Sequence, residues 1–86
     1  MPHYVYIIRN SQDRSYIGLS DDVTRRLTDH NTGTSIWTRS RGPWRLFWQS
    51  KPMTLSDARR LESLLKRQKG GDGLTRILAH LNSNGS

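Results

Sequence analysis

Apolar side chains near the N-terminus fall into two short runs of aromatic and β-branched residues. Residues 3–9 read His-Tyr-Val-Tyr-Ile-Ile-Arg and residues 15–19 read Ser-Tyr-Ile-Gly-Leu, with the turn-rich stretch Asn10-Ser11-Gln12-Asp13-Arg14 between them. That pattern predicts two strands joined as a β-hairpin. Strand side chains alternate, so Tyr4, Tyr6 and Ile8 share one face, as do Tyr16 and Gly18 on the second strand. A register centred on Ser11 sets Tyr6 opposite Tyr16. Apolar residues occupy both faces of these strands, which implies a sheet covered on both sides.

The period then changes. Ser20-Asp21-Asp22 supplies capping and first-turn acidic chemistry for a helix running to about Asn31, with Val23 and Leu27 inward and Gly33 closing it. Arg26 and His30, four residues apart, share a face of that helix. Residues 32–43 show no period and predict a long surface loop, a length that is usually functional or disordered. Trp44 to Ser50 predicts a third strand. Thr54 with Asp57 three residues on forms a variant of the capping box for a second helix, which should end at Gly70-Gly71. Its inner stripe is Leu55, Ala58, Leu61, Leu65 and Gln68, with Leu64 beside it. Leu74, Ile77, Leu78 and Leu81 predict a short third helix. The fold class expected is a small α/β (α+β) domain, a three-stranded, largely antiparallel sheet flanked by helices, spanning residues 4–81, with 82–86 as a flexible tail.

Composition narrows the partner. The chain has 86 residues, 14 Lys and Arg against 7 Asp and Glu, and a net charge of +7. At this size the core is modest, and so basic a surface suits a phosphate-rich partner, with nucleic acid the first inference. A membrane surface is the weaker reading, because no long basic amphipathic segment is present and nothing approaches the ~20 apolar residues of a spanning helix. The chain contains no cysteine, which excludes disulfides and thiolate zinc sites. The N-terminus runs into strand pattern without a charged and apolar leader, so a cytoplasmic protein is expected.

Within this basic chain Glu62 is the only glutamate, set among Arg59, Arg60, Lys66, Arg67 and Lys69. Its spacing from Lys66 suits a helical ion pair, which typically contributes ~0.2–0.5 kcal/mol. It equally suits a metal ligand. Asp21 and Asp22 need no role beyond a helix start, His3 and His80 show no ligand spacing, and Gly70-Gly71-Asp72-Gly73 lacks the ending of a phosphate-cradling loop. Tyr6 and Tyr16 are each good strand formers. Paired over one surface, they set two phenols where Gly18 leaves room for a phosphate or backbone to approach. The segment Trp37-Thr38-Arg39-Ser40-Arg41-Gly42-Pro43-Trp44 interleaves aromatic and guanidinium groups, a means of holding unstacked bases and backbone together. Trp48 reads as core.

Tyr4-Val5-Tyr6 and Tyr16-Ile17-Gly18, followed by Arg26, His30 and Glu62, resemble the signature of the GIY-YIG nucleases over residues 4–69. Thr38-Arg39 or Ser40-Arg41, followed by Gly42-Pro43-Trp44, resembles the branch related to structure-selective junction nucleases and small bacterial proteins. Tyr4 stands where the family name has glycine, Leu19 where some repair members have lysine, and no late asparagine aligns. The resemblance implies a divalent-metal-dependent endonuclease acting on DNA, in repair or recombination. It implies one Mg2+ or Mn2+ ion on Glu62, a phenol of Tyr6 or Tyr16 as general base aided by a cationic neighbour or a metal-bound water, and Arg26 on the phosphate. His30 is a second-rank catalytic candidate. Arg25, Arg39, Arg41, Lys66, Arg67 and Lys69 are candidates for backbone contact, Arg25 being readable also as solvated helix face. RNA remains open as a substrate, and a protein partner would supply substrate choice in so small a domain. The rival is a non-catalytic nucleic-acid-binding module on the same fold.

Overall fold

The computed structural model describes residues 2–33, 38, 41–68, 76, 78 and 79. Arg39, Lys69, the Gly70-Gly71 helix end, most of the third helix expected around Leu74, Ile77 and Leu81, and the 82–86 tail lie outside the described residues. The elements run β1 (Tyr4–Arg9), β2 (Ser15–Ser20), α1 (Val23–Thr32), β3 (Arg45–Gln49) and α2 (Leu55–Arg67). They form a three-stranded sheet of order β2-β1-β3, antiparallel throughout. The fold class is therefore the one read from the pattern.

The hairpin register differs from the expected one. Tyr6 pairs with Gly18, and Tyr16 with Ile8. The cause is Asn10, buried at the end of β1, whose Oδ1 accepts from the Gln12 and Arg14 amides, each at 3.0 Å. Asp13 turns the chain at φ 61°. This closed Asx turn centres the hairpin on Gln12 rather than Ser11. A two-residue change in partner leaves every side chain on its original face, so Tyr6 and Tyr16 are diagonal rather than direct neighbours.

Each helix covers one face. Val5, Ile7 and Ile17 pack against Ala58 and Leu65 of α2 and against Leu78, with Leu19, Trp48, Met53 and Leu61 alongside. Tyr6 and Ile8 pack with Val23 of α1 and with Trp44, with Tyr4, Tyr16 and Leu27 alongside. Trp48 is thus a core residue, as its pattern suggested. Leu55 and Leu64 are not: both are largely exposed, because the stripe that meets the sheet is only as wide as Ala58, Leu61 and Leu65.

Local chemistry sets the helix ends. Asp22 caps α1 by accepting from the Arg25 amide at 3.0 Å. Gly33 ends it in the left-handed region at φ 85°, its amide donating to the Asp29 carbonyl. Thr54 caps α2 through the Asp57 amide at 3.1 Å, a bond type worth about 1 kcal/mol. A bulge sits where β3 meets β1: Trp48 pairs with Ile7 and Leu46 with Ile8.

Candidate active site

The aromatic face of the sheet converges on one phenol. Tyr6 lies in the middle of the central strand and is fully buried. Its ring lies over Gly18, the residue opposite, where a Cβ would run into the ring and hydroxyl. Glycine is therefore needed here to admit Tyr6 itself. The room above Gly18, read from sequence as an approach for phosphate or backbone, is filled by that ring.

His30 reaches the same point from α1. It is 1% exposed, and its Nε2 lies 2.9 Å from the Tyr6 hydroxyl. Its Nδ1 lies 2.6 Å from the hydroxyl of Thr38. The Tyr16 ring packs on His30 at 4.8 Å between centroids. A residue ranked second by sequence is thus the hub of the cluster, because α1 turns it inward together with Val23. Arg26, one turn earlier, is partly exposed. Its Nη1 donates to Asp29 Oδ2 at 3.2 Å, and its guanidinium is close enough to the Tyr6 phenol to bear on its ionisation.

Burial dominates the electrostatics of Tyr6 and pushes its pKa above the ordinary phenol value. The nearby Arg26 guanidinium opposes this, while the charges of Tyr16 and Glu62 add to it. A cationic neighbour was expected to favour the phenolate, and Arg26 does so, but desolvation outweighs it. His30 moves the other way: burial first, then the positive charge of Arg26, hold its pKa below the usual imidazole value, with Asp29 opposing. Near neutral pH the pair therefore rests as neutral phenol and neutral imidazole.

Glu62 lies on α2, partly buried, its Oε2 3.4 Å from Lys66 Nζ. The ion pair anticipated from spacing exists, and the carboxylate is also close enough for its charge to be felt at Tyr6. Among the described residues no cluster of three or more His, Asp or Glu could hold a metal. One hard carboxylate still suits a magnesium-type ion, which keeps waters and takes substrate phosphate oxygens as its other ligands.

The basic side chains lie further out. Arg25 pairs with Asp21 at 3.5 Å in an exposed i,i+4 contact, and Arg41 and Arg67 are exposed. Trp44, expected to help hold bases, is buried instead, with Nε1 donating to the Thr38 carbonyl at 2.9 Å. Asn31 brackets its backbone, accepting from the Trp44 amide at 2.6 Å and donating to its carbonyl at 3.0 Å. Sequence reasoning assigned no role to Thr38 or Asn31. Thr38 stood out only within the family-like run beside Trp37, and Asn31 only as the point where the first helix should end.

Comparison with known proteins agrees with this geometry. The family model for the GIY-YIG catalytic domain matches residues 2–74. A UPF0213 protein of Streptococcus agalactiae is 36% identical over 83 residues, covering 95% of this chain and 94% of the relative. A UPF0213 protein of Oceanobacillus iheyensis is 35% identical over 66 residues, covering 76% of this chain and 77% of that one. The solution NMR structure of a UPF0213 protein from Bacillus halodurans superposes with a TM-score of 0.52 at 33% identity, covering 96% of this chain and 84% of that one. Among the described residues no helix is long and apolar enough to cross a membrane.

Proposed function

The chain belongs to the GIY-YIG endonuclease family, and from that premise we propose that it hydrolyses DNA phosphodiester bonds with Tyr6 as general base and His30 as the acceptor of the Tyr6 proton. The observation that carries this reading is the 2.9 Å contact between the Tyr6 hydroxyl and His30 Nε2, in a cluster that also holds Arg26 and Tyr16. Tyr16 packs on the His30 ring and has no such contact with its nitrogens, which favours Tyr6 as the base.

Because both groups rest neutral, proton movement is coupled to attack. Water attacks phosphorus in line. Its proton passes to the Tyr6 oxygen as the phenol proton moves to His30 Nε2. The bond to the 3′ oxygen breaks, leaving a 5′ phosphate and a 3′ hydroxyl protonated from solvent. Arg26 would neutralise charge building on the phosphate, since a planar guanidinium fork suits phosphate oxygens. Glu62 would hold one Mg2+ or Mn2+ ion, whose charge polarises the phosphate and stabilises the leaving oxygen. Arg25, Arg41, Lys66 and Arg67, with Arg39 and Lys69, would hold the flanking backbone.

Structure-selective cutting in repair or recombination is the finer reading, and it draws on the pattern of Thr38-Arg39 or Ser40-Arg41 before Gly42-Pro43-Trp44. A screen of linear, nicked, flapped and branched DNA, with RNA alongside, in magnesium or manganese tests both levels. Cleavage by wild type, lost in Tyr6→Phe and retained in part by Tyr16→Phe, is the expected result. A folded, metal-loaded wild type inert on every substrate would make the protein a nucleic-acid-binding module.

A further inference from the structure

Thr38 sits in a turn and is 1% exposed. Its carbonyl accepts from Trp44 Nε1 at 2.9 Å and from the Arg41 amide at 3.1 Å. Those two bonds fix its backbone. Its hydroxyl meets His30 Nδ1 at 2.6 Å, on the side of the ring opposite Tyr6.

We infer that Thr38 is a positioning residue that accepts the Nδ1–H bond of His30 and so holds the imidazole in the tautomer whose Nε2 is free to take the Tyr6 proton. This rests on the assignment of Tyr6 and His30 above. Two arrangements satisfy the contacts, since a neutral imidazole has one donor and one acceptor and each hydroxyl can play either part. In one, Nδ1–H donates to Thr38 and the Tyr6 hydroxyl donates to Nε2. In the other, Thr38 donates to Nδ1 and Nε2–H donates to Tyr6. The second leaves the phenol proton needing a different acceptor, and the first leaves the Thr38 hydroxyl proton, equally buried, needing one. A buried hydroxyl proton without an acceptor is unfavourable in either case, so the choice falls to the proposed chemistry, which needs Nε2 unprotonated and therefore takes the first arrangement. The same Thr38 bond persists when His30 becomes imidazolium, because Nδ1 is a donor in both states. Among the described residues, the titratable or charged groups facing His30 besides Tyr6 are Tyr16 from β2 and Arg26 and Asp29 of its own helix.

The test uses the full chain with 15N-labelled histidine rings, recorded well above the ordinary imidazole pKa, with the His30 signals assigned against His30→Gln. Wild-type His30 should show a protonated Nδ1 and an unprotonated Nε2. Thr38→Val keeps the branched shape and removes the hydroxyl. It should shift His30 toward the Nε2–H tautomer and slow single-turnover cleavage by at least about tenfold, as misplaced tautomers do, with DNA affinity unchanged. Thr38→Ser should restore both. A wild-type spectrum with Nε2 protonated overturns the inference whether or not the valine variant folds. So does a folded Thr38→Val with tautomer and rate both unchanged. The ring spectrum needs no cleavage, so an inactive wild type would sink the nuclease reading and leave the tautomer to be decided separately.

Discussion

The two faces of this small sheet are built from alternate residues of one strand, and they differ in kind. Val5 and Ile7 point to an aliphatic layer with Ile17, Ala58 and Leu65. Tyr4, Tyr6 and Ile8 point to a layer of rings and hydroxyls with Tyr16, Val23 and Trp44, where His30 bonds Tyr6 on one side and Thr38 on the other. The aliphatic face is non-directional packing and tolerates small displacements. The aromatic face depends on bonds of 2.6 and 2.9 Å and tolerates few. On the proposed mechanism, stability and chemistry fall on opposite faces of β1, with one exception. Glu62 belongs to α2, the helix over the aliphatic face, yet its charge reaches Tyr6.

The largest expected effects fall on the aromatic face and on that exception. Tyr6→Phe should lower single-turnover cleavage by ~10²–10⁴-fold, the usual contribution of a general base, with binding of a labelled duplex preserved. Glu62→Gln should be comparably inactive while binding DNA; normal cutting by this variant in magnesium would reduce Glu62 to the ion-pair partner of Lys66. Arg26→Ala should follow, losing ~10²-fold or more in turnover as a charge-stabilising donor is removed.

On the aliphatic face Ile7→Ala should destabilise by ~2–5 kcal/mol in urea unfolding, the range for emptying a buried aliphatic site. Cleavage per folded molecule should stay near wild type. A folded Ile7→Ala protein that had lost turnover would break the division between the faces. Gly18→Ala tests the seam, since its methyl would displace the Tyr6 ring. It should cost about 1–3 kcal/mol in the same assay and reduce activity as well.

The smallest effect is on pH. The buried, neutral His30 has its pKa held below the unfolded value, so the unfolded chain binds the extra proton first as the solution is acidified. Its stabilising share is whole above pH ~6.5, the ordinary imidazole value, and is lost as pH falls through the lower folded pKa. Urea midpoints measured downward from neutral pH should show this slope, and His30→Gln should flatten it. Tyr6 runs in the opposite sense, its share being present below about pH 10 and lost as pH rises through the raised folded value.

Much of the frame was legible in the chain because it is local. Alternation along β1 and β2 set which residues share a face, and Asp22, Gly33 and Thr54 marked helix ends through bonds to residues at most a few positions away. The paired tyrosines, Arg26 and Glu62 stood out together as a family signature. Tertiary structure decided the rest. The hairpin partner of Tyr6 depended on the Asx turn at Asn10, which no alternation pattern encodes. Whether His30 faced solvent or the core depended on how α1 rolled onto the sheet, and a four-residue spacing from Arg26 says only that the two share a side. Trp44 and Thr38 lie in a stretch without a period, so nothing in the sequence distinguished a base-stacking ring from a buried one or a loop hydroxyl from a partner of His30. Local propensity and alternation act over a few residues. The bonds that make this site join residues 8 and 24 positions apart, and only packing brings those together.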